Sequence, residues 1–233
     1  TNRNVAVGHD TLEACTGDHN TAIGHQAMKT NTSGVTNAAL GINALYANTT
    51  GDSNTGVGPD AGQSVTTGDN NTFLGHDAGR SNSPSGNITT GSNNVVLGND
   101  AVQNLFCQDT SISSSDSRDK TDITNFTIGL DWIKALRPVT YRWDRRTWYG
   151  TDAEPYGTPD GSKKRNKLHV GFLAQEALEV EKANGYGDTN DNSLICNLTD
   201  DGMRYGMKYE RLVPILVNAI KELETRLAAV EAA

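Results

Sequence analysis

Apolar positions in the first hundred residues come singly and at a fixed period rather than in runs. Six times the chain reads Asn, two residues, an aliphatic and Gly: Asn4 to Val7-Gly8, Asn20 to Ile23-Gly24, Asn37 to Leu40-Gly41, Asn54 to Val57-Gly58, Asn71 to Leu74-Gly75 and Asn94 to Leu97-Gly98. Successive Asn positions are 16, 17, 17, 17 and 23 apart, and the last interval is expanded by a polar insert around Ser83-Pro84-Ser85-Gly86. A second glycine, at Gly17, Gly34, Gly51, Gly68 and Gly91, marks a turn midway between motifs, where positive φ costs glycine nothing. Each unit predicts a short strand, a turn, a few residues ending in Ala, and a second turn. One aliphatic with small neighbours such as Ala27, Ala44, Ala61 and Ala78 cannot bury a single unit's face, but stacked units can. Residues 1–110 are therefore expected to form a repetitive β solenoid or trimeric β shaft, with neighbouring chains helping to complete its core.

The pattern changes in residues 111–233. Ile128 to Leu136 has helical apolar spacing and stops before Pro138, while Val139, Tyr141 and Trp143 alternate as one face of a strand. Leu168, Val170 and Phe172 alternate likewise, and Ala174 to Val180 predicts a short helix. Between these strands 144–167 is a long polar excursion. At the end Val213, Leu216, Ile220, Leu223, Leu227 and Val230 are spaced 3, 4, 3, 4, 3, a heptad seam on a helix over 210–232. Pro214 sits in its first turn, where a missing N–H is harmless. The helix either packs on its own domain or forms a trimeric coiled coil or helix bundle. The expected fold class is thus mixed: the shaft, then an α+β domain ending in a long helix.

Composition sharpens the division. All three Trp lie after position 130, and the first 114 residues hold only Tyr46, Phe73 and Phe106 as aromatics. The same 114 residues carry three basic side chains against nine acidic ones, and the whole chain has net charge −8. Nucleic-acid binding needs a clustered basic surface, so it is excluded as the main task; Lys163-Lys164-Arg165 reads as a solvated loop. Cys15, Cys107 and Cys196 are widely spaced and odd in number, which fits reduced thiols. No signal peptide or apolar run of membrane length is visible, so no membrane insertion is expected.

Several motifs fall away on inspection. The glycines never form a phosphate loop followed by Lys and Ser or Thr. His9, His25 and His76 each follow a repeat Gly and could stack or meet, yet lack adjacent ligands. Asp188-Thr-Asn190-Asp191-Asn192 starts like a calcium loop but puts Ser193 where Gly is needed and Thr199 where the bidentate Glu belongs, so it reads as a polar turn. No metal or other cofactor is expected.

Four blocks in one order carry a resemblance. Ser115-Asp116-Ser-Arg118-Asp-Lys120 opens it, followed by Gly129-Leu-Asp131 and Leu136-Arg-Pro-Val139 with Tyr141 and Trp143. His169-Val-Gly171-Phe172 through Glu176 comes next, then Tyr209-Glu210 through Leu216. Residues 115–233 resemble the endosialidase-type intramolecular chaperone domain, and the repeats resemble trimeric-adhesin heads and phage fibre shafts. The resemblance implies a homotrimeric tail fibre or tail spike assembled in the host cytoplasm and carried on the virion, with a host-surface receptor as partner. It also implies self-cleavage between Ser114 and Ser115, with Ser115 as nucleophile, Lys120 as base, and Asp116 and Arg118 in the supporting motif. A lysine can act so when neutral, which burial or a neighbouring cation favours. The competing readings are a trimeric adhesin or uncleaved fibre tip that binds its receptor directly, through inter-repeat loops or the insert near Ser83, and a polysaccharide-degrading spike, for which the repeats offer no cleft. Membrane-tethered transcription factors share the domain, but they need a basic DNA-binding region.

Overall fold

The computed structural model describes residues 3–105, 115–151, 153–199 and 201–233, and these fall into two compact units. The first combines 1–103 with two segments from later in the chain, 143–165 and 199–204. The second holds 104–142, 166–198 and 205–233.

In the first unit every repeat contributes one three-residue strand: β1 (Val5–Val7), β2 (Thr21–Ile23), β3 (Ala38–Leu40), β4 (Thr55–Val57), β5 (Thr72–Leu74) and β6 (Val95–Leu97). They pair in parallel in chain order, so equal repeat positions stack: Val7 beside Ile23, Ile23 beside Leu40, and so on to Leu97. From β2 onward the middle residue of each strand points inward and the flanking ones outward, the period of two expected for a strand.

The solenoid fills its interior by pairing large with small. Met28 and Leu45 are fully buried and hold left-handed φ values of 48 and 51°. At the equivalent places in the next repeats stand Gly62 and Gly79, whose missing side chains leave room for Phe73; a Cβ on Gly79 would come within 2.4 Å of the Phe73 ring. The expectation that neighbouring chains complete the core does not hold. Ala and Gly with a few wider residues, Met28, Leu45, Val65, Phe73 and Ile88, make a buried core within the single chain.

The repeated Asn explains itself in the same geometry. Each Oδ1 accepts the backbone N–H of the next repeat's Asn, at 2.7 Å from Asn20, 2.9 Å from Asn37 and 2.8 Å from Asn54. Each Nδ2 donates to the carbonyl of the mid-repeat Gly, as Asn37 does to Gly51 and Asn54 to Gly68, both at 2.8 Å. Asn20, Asn37, Asn54 and Asn71 are buried, and each would leave a backbone group unpaired if removed. A second row runs Cys15, Asn31, Asn48: Asn48 Nδ2 reaches Asn31 Oδ1 at 2.9 Å, and Asn31 Nδ2 reaches Cys15 Sγ at 3.3 Å. The next member of the row is Val65, which offers no donor, and Asn48 Oδ1 is left without a partner.

The second unit contains α1 (Leu130–Ala135), an antiparallel pair β7 (Val139–Tyr141) and β8 (His169–Gly171), then α2 (Ala174–Lys182). A hairpin of β9 (Cys196–Leu198) and β10 (Tyr205–Met207) follows, and α3 (Leu212–Glu231) ends it. Trp132, Leu136, Ala177, Ile195, Leu212 and Ile215 make the core. Inside it Glu181 is fully buried and accepts from the Ser193 hydroxyl at 2.8 Å and from the N–H groups of Leu194, Ile195 and Cys196 at 3.2, 2.6 and 2.8 Å. One carboxylate therefore fixes the entry into β9, since buried amides need partners. The Asp188–Asn192 turn is tied down as well: Asn190 exchanges hydrogen bonds of 2.8 and 2.9 Å with the Leu198 backbone.

Candidate functional site

The junction is organised by a single 3-10 turn, Ser117–Asp119. Asp116 caps it, accepting the Arg118 N–H at 2.9 Å, and the Arg118 guanidinium folds back onto both carboxylate oxygens, with Nη2 at 2.6 Å. The side-chain hydrogen bonds from Arg118, then its backbone N–H, hold the Asp116 carboxyl below its usual range. Past the turn Lys120 is extended, and its Nζ returns to Ser115 Oγ at 2.7 Å. The turn thus brings together two side chains five residues apart. Ser115 and Lys120 are exposed in the single chain. Ser114 lies outside the described residues, as does Cys107.

A comparison with known families begins at this same serine. Residues 115–186 match the family described as chaperone of endosialidase. This stretch is similar to the endosialidase-type chaperone domain. The match runs through α1, β7, β8 and α2; the β9–β10 hairpin and α3 lie beyond it. No curated protein and no solved structure matches the chain.

The helix that follows the matched chaperone stretch has two apolar faces with different fates. Leu212, Ile215 and Ala219 are buried, and α3 packs along α1. Beside this buried stripe the seam residues Val213, Leu216, Ile220, Leu223, Leu227 and Val230 are all exposed, Ile220 by 64% and Leu227 by 58%. The packing of the helix on its own domain accounts for the buried stripe alone.

The repeat unit has its own uncovered apolar surface. Val7, Ile23, Leu40, Val57, Leu74 and Leu97 form an unbroken outward column of aliphatics along the sheet, each at least 37% exposed. Such a continuous column differs from apolar residues scattered singly over a surface.

Of the histidines, His9 and His25 stack with ring centroids 5.6 Å apart. His76 lies with Asp60 and Asp77, the one group of potential ligands among the described residues. The Asp77 carboxylate there is already taken up by Arg80 at 2.9 Å and by Asn82 at 2.7 Å. No helix among the described residues is long and apolar enough to cross a membrane.

Sequence reasoning missed the busiest polar centre of the first unit, around Asp100 and Asp201. Asp100 stands two residues after Gly98, as Asp10, Asp60 and Asp77 stand after their own repeat glycines, so nothing local distinguishes it. Its partners Arg145, Thr147 and Arg204 come from the two later segments.

Proposed function

We propose that the chain is a trimeric phage tail fibre or spike component whose endosialidase-type chaperone domain assembles three copies and then cuts itself from the repeat shaft between Ser114 and Ser115. The observation that carries the cleavage reading is the 2.7 Å hydrogen bond between Lys120 Nζ and Ser115 Oγ at the first residue of the family match. Lys120 takes the hydroxyl proton as Ser115 Oγ attacks the Ser114 carbonyl carbon. The C–N bond breaks, the Ser115 nitrogen receives that proton, and an ester joins the two pieces. Water then hydrolyses the ester, leaving a carboxylate on Ser114 and restoring the hydroxyl. Desolvation favours the neutral amine that this chemistry needs. Since one chain leaves both residues in water, neighbouring chains have to supply the burial, and cleavage then reports a finished trimer.

Two features support assembly: the uncovered seam on α3 and the uncovered aliphatic column along β1–β6. Each gives a second and third copy of this chain an apolar face to cover. Localisation on the virion and attachment to a host receptor follow from the same reading. On a denaturing gel the wild-type chain should run as two pieces, residues 1–114 and 115–233, and the Ser115→Ala chain as one. Intact wild-type chain in folded assemblies would refute the cleavage step.

A further inference from the structure

A cleft of about 370 Å³ opens on the first unit, within the range of about 300–1,000 Å³ that small-molecule sites occupy. Asn82 and Asn99 line one wall, and Thr147, Trp148, Lys163 and Arg165 the other. In the sequence the run Lys163-Lys164-Arg165 reads as a solvated loop, but two of its cations lie over aromatic rings. Lys163 Nζ is 5.3 Å from the centre of the Tyr149 ring, and Arg165 Cζ is 4.6 Å from that of Trp148. Lys163 Nζ also donates to the Trp148 carbonyl, and Arg165 Nη2 to the Asp100 carbonyl at 3.4 Å.

Charge sets this cleft apart from the rest of the chain. Asp100, the acidic residue in its wall, is buried and already paired with Arg145 at 2.8 Å and Arg204 at 3.2 Å. Neither Lys163 nor Arg165 forms an ion pair with a carboxylate among the described residues. A chain of net charge −8 thus keeps two cations at one cleft without an acidic partner. Arginine offers its N–H groups as a planar fork that matches a carboxylate. Beside the cations stand neutral amides. Asn82 Nδ2 donates to Asp77 at 2.7 Å, which orients the amide and leaves Oδ1 buried without a partner among the described residues. An orphaned carbonyl oxygen of this kind costs stability until a donor reaches it.

We propose that this cleft binds an acidic sugar, a pyranose that carries a carboxylate. The carboxylate pairs with Arg165 and Lys163, ring hydroxyls bond to Asn82, Asn99 and Thr147, and the C–H edge of the ring packs on the indole of Trp148. A neutral sugar would leave both cations unpaired. A bare inorganic anion would leave the indole and the Asn82 carbonyl unused, and no glycine-rich phosphate loop is present to cradle a nucleotide. The inference goes beyond the proposed function in naming a ligand class, and it rests neither on self-cleavage nor on trimer assembly.

The test titrates glucuronic acid into the full-length Ser115→Ala chain, which keeps both walls of the cleft on one polypeptide, and reads binding by saturation-transfer NMR and calorimetry. Glucose tests the need for the carboxylate; acetate and inorganic phosphate test the need for the sugar. Glucuronic acid should bind saturably in the millimolar range, with the other three at least about tenfold weaker. Arg165→Gln and Lys163→Gln should each weaken glucuronic acid about tenfold, and the melting temperature of each variant establishes that it has folded. Lys163 is exposed, so its variant carries the test should Arg165→Gln fail to fold. The proposal is overturned by no saturable binding of glucuronic acid, by glucose, acetate or phosphate binding as tightly, or by unchanged affinity in the folded variants.

Discussion

Lys120 Nζ sits 2.7 Å from Ser115 Oγ, across a turn whose cap, Asp116, is locked by Arg118. The single chain already holds the pair within hydrogen-bond reach, so under the proposed function assembly changes its surroundings rather than its geometry. Lys120→Arg then becomes informative. Arginine keeps the charge and the reach but stays protonated, so it cannot accept the serine proton. Lys120→Arg and Lys120→Ala should both leave an uncut chain on a denaturing gel, while Ser113→Ala should cut normally. Cleavage of Lys120→Arg at the wild-type rate would remove Lys120 as base.

The two faces of α3 separate folding from assembly. Leu216→Asp with Leu223→Asp alters exposed seam positions, so the protomer should fold, with unchanged circular dichroism, while trimer is lost. Ile215→Asp alters the buried face and should destabilise the protomer by about 3 kcal/mol or more. Equal trimer yield from the seam variant would make the seam peripheral.

Acid should loosen the contact between Asp201 and the last repeat. Burial raises the Asp201 carboxyl, but hydrogen bonds from Thr199, Asn87, Met203 and Tyr156 outweigh it and hold the group below its usual 3.8. A carboxyl depressed by folding stabilises the folded state fully above its unfolded value and loses that contribution as pH falls through the folded one. Hydrogen exchange at the Asn87 amide, which donates to Asp201, should be slow relative to its intrinsic rate from pH 5 to 7 and lose its protection below about pH 3.8. Protection that persists well below that range would show that Asp201 does not hold this contact.

Cys196 should behave as an inert thiol. Burial, and then the negative Glu181 beside it, pushes its pKa up to about 12, so the thiolate is scarce at neutral pH. Site-resolved mass spectrometry after iodoacetamide should find Cys196 unmodified in the native protein and alkylated after denaturation. Rapid native alkylation would mean that the β9 end of the core opens readily.

The solenoid was legible because its period is fixed and each position recurs: the strand, the mid-repeat glycine and the small inward residues all read directly from the sequence. Less legible was how few large side chains a closed core needs, because the fit of Phe73 between Gly62 and Gly79 depends on which repeats stack. Ser115 and Lys120 could be named from a local motif. Asp100 could not, since its partners Arg145 and Arg204 lie 45 and 104 residues away. The hairpin β9–β10 escaped for a related reason: its entry is fixed by the buried Glu181, an acid that on its own helix looks like any solvated residue.

Assembly is the central claim, and the mass of the native Ser115→Ala chain tests it most directly. Without cleavage the assembly retains every residue, so light scattering on the size-exclusion peak should give three times 24.9 kDa. A monodisperse peak at 24.9 kDa from folded protein would contradict the account.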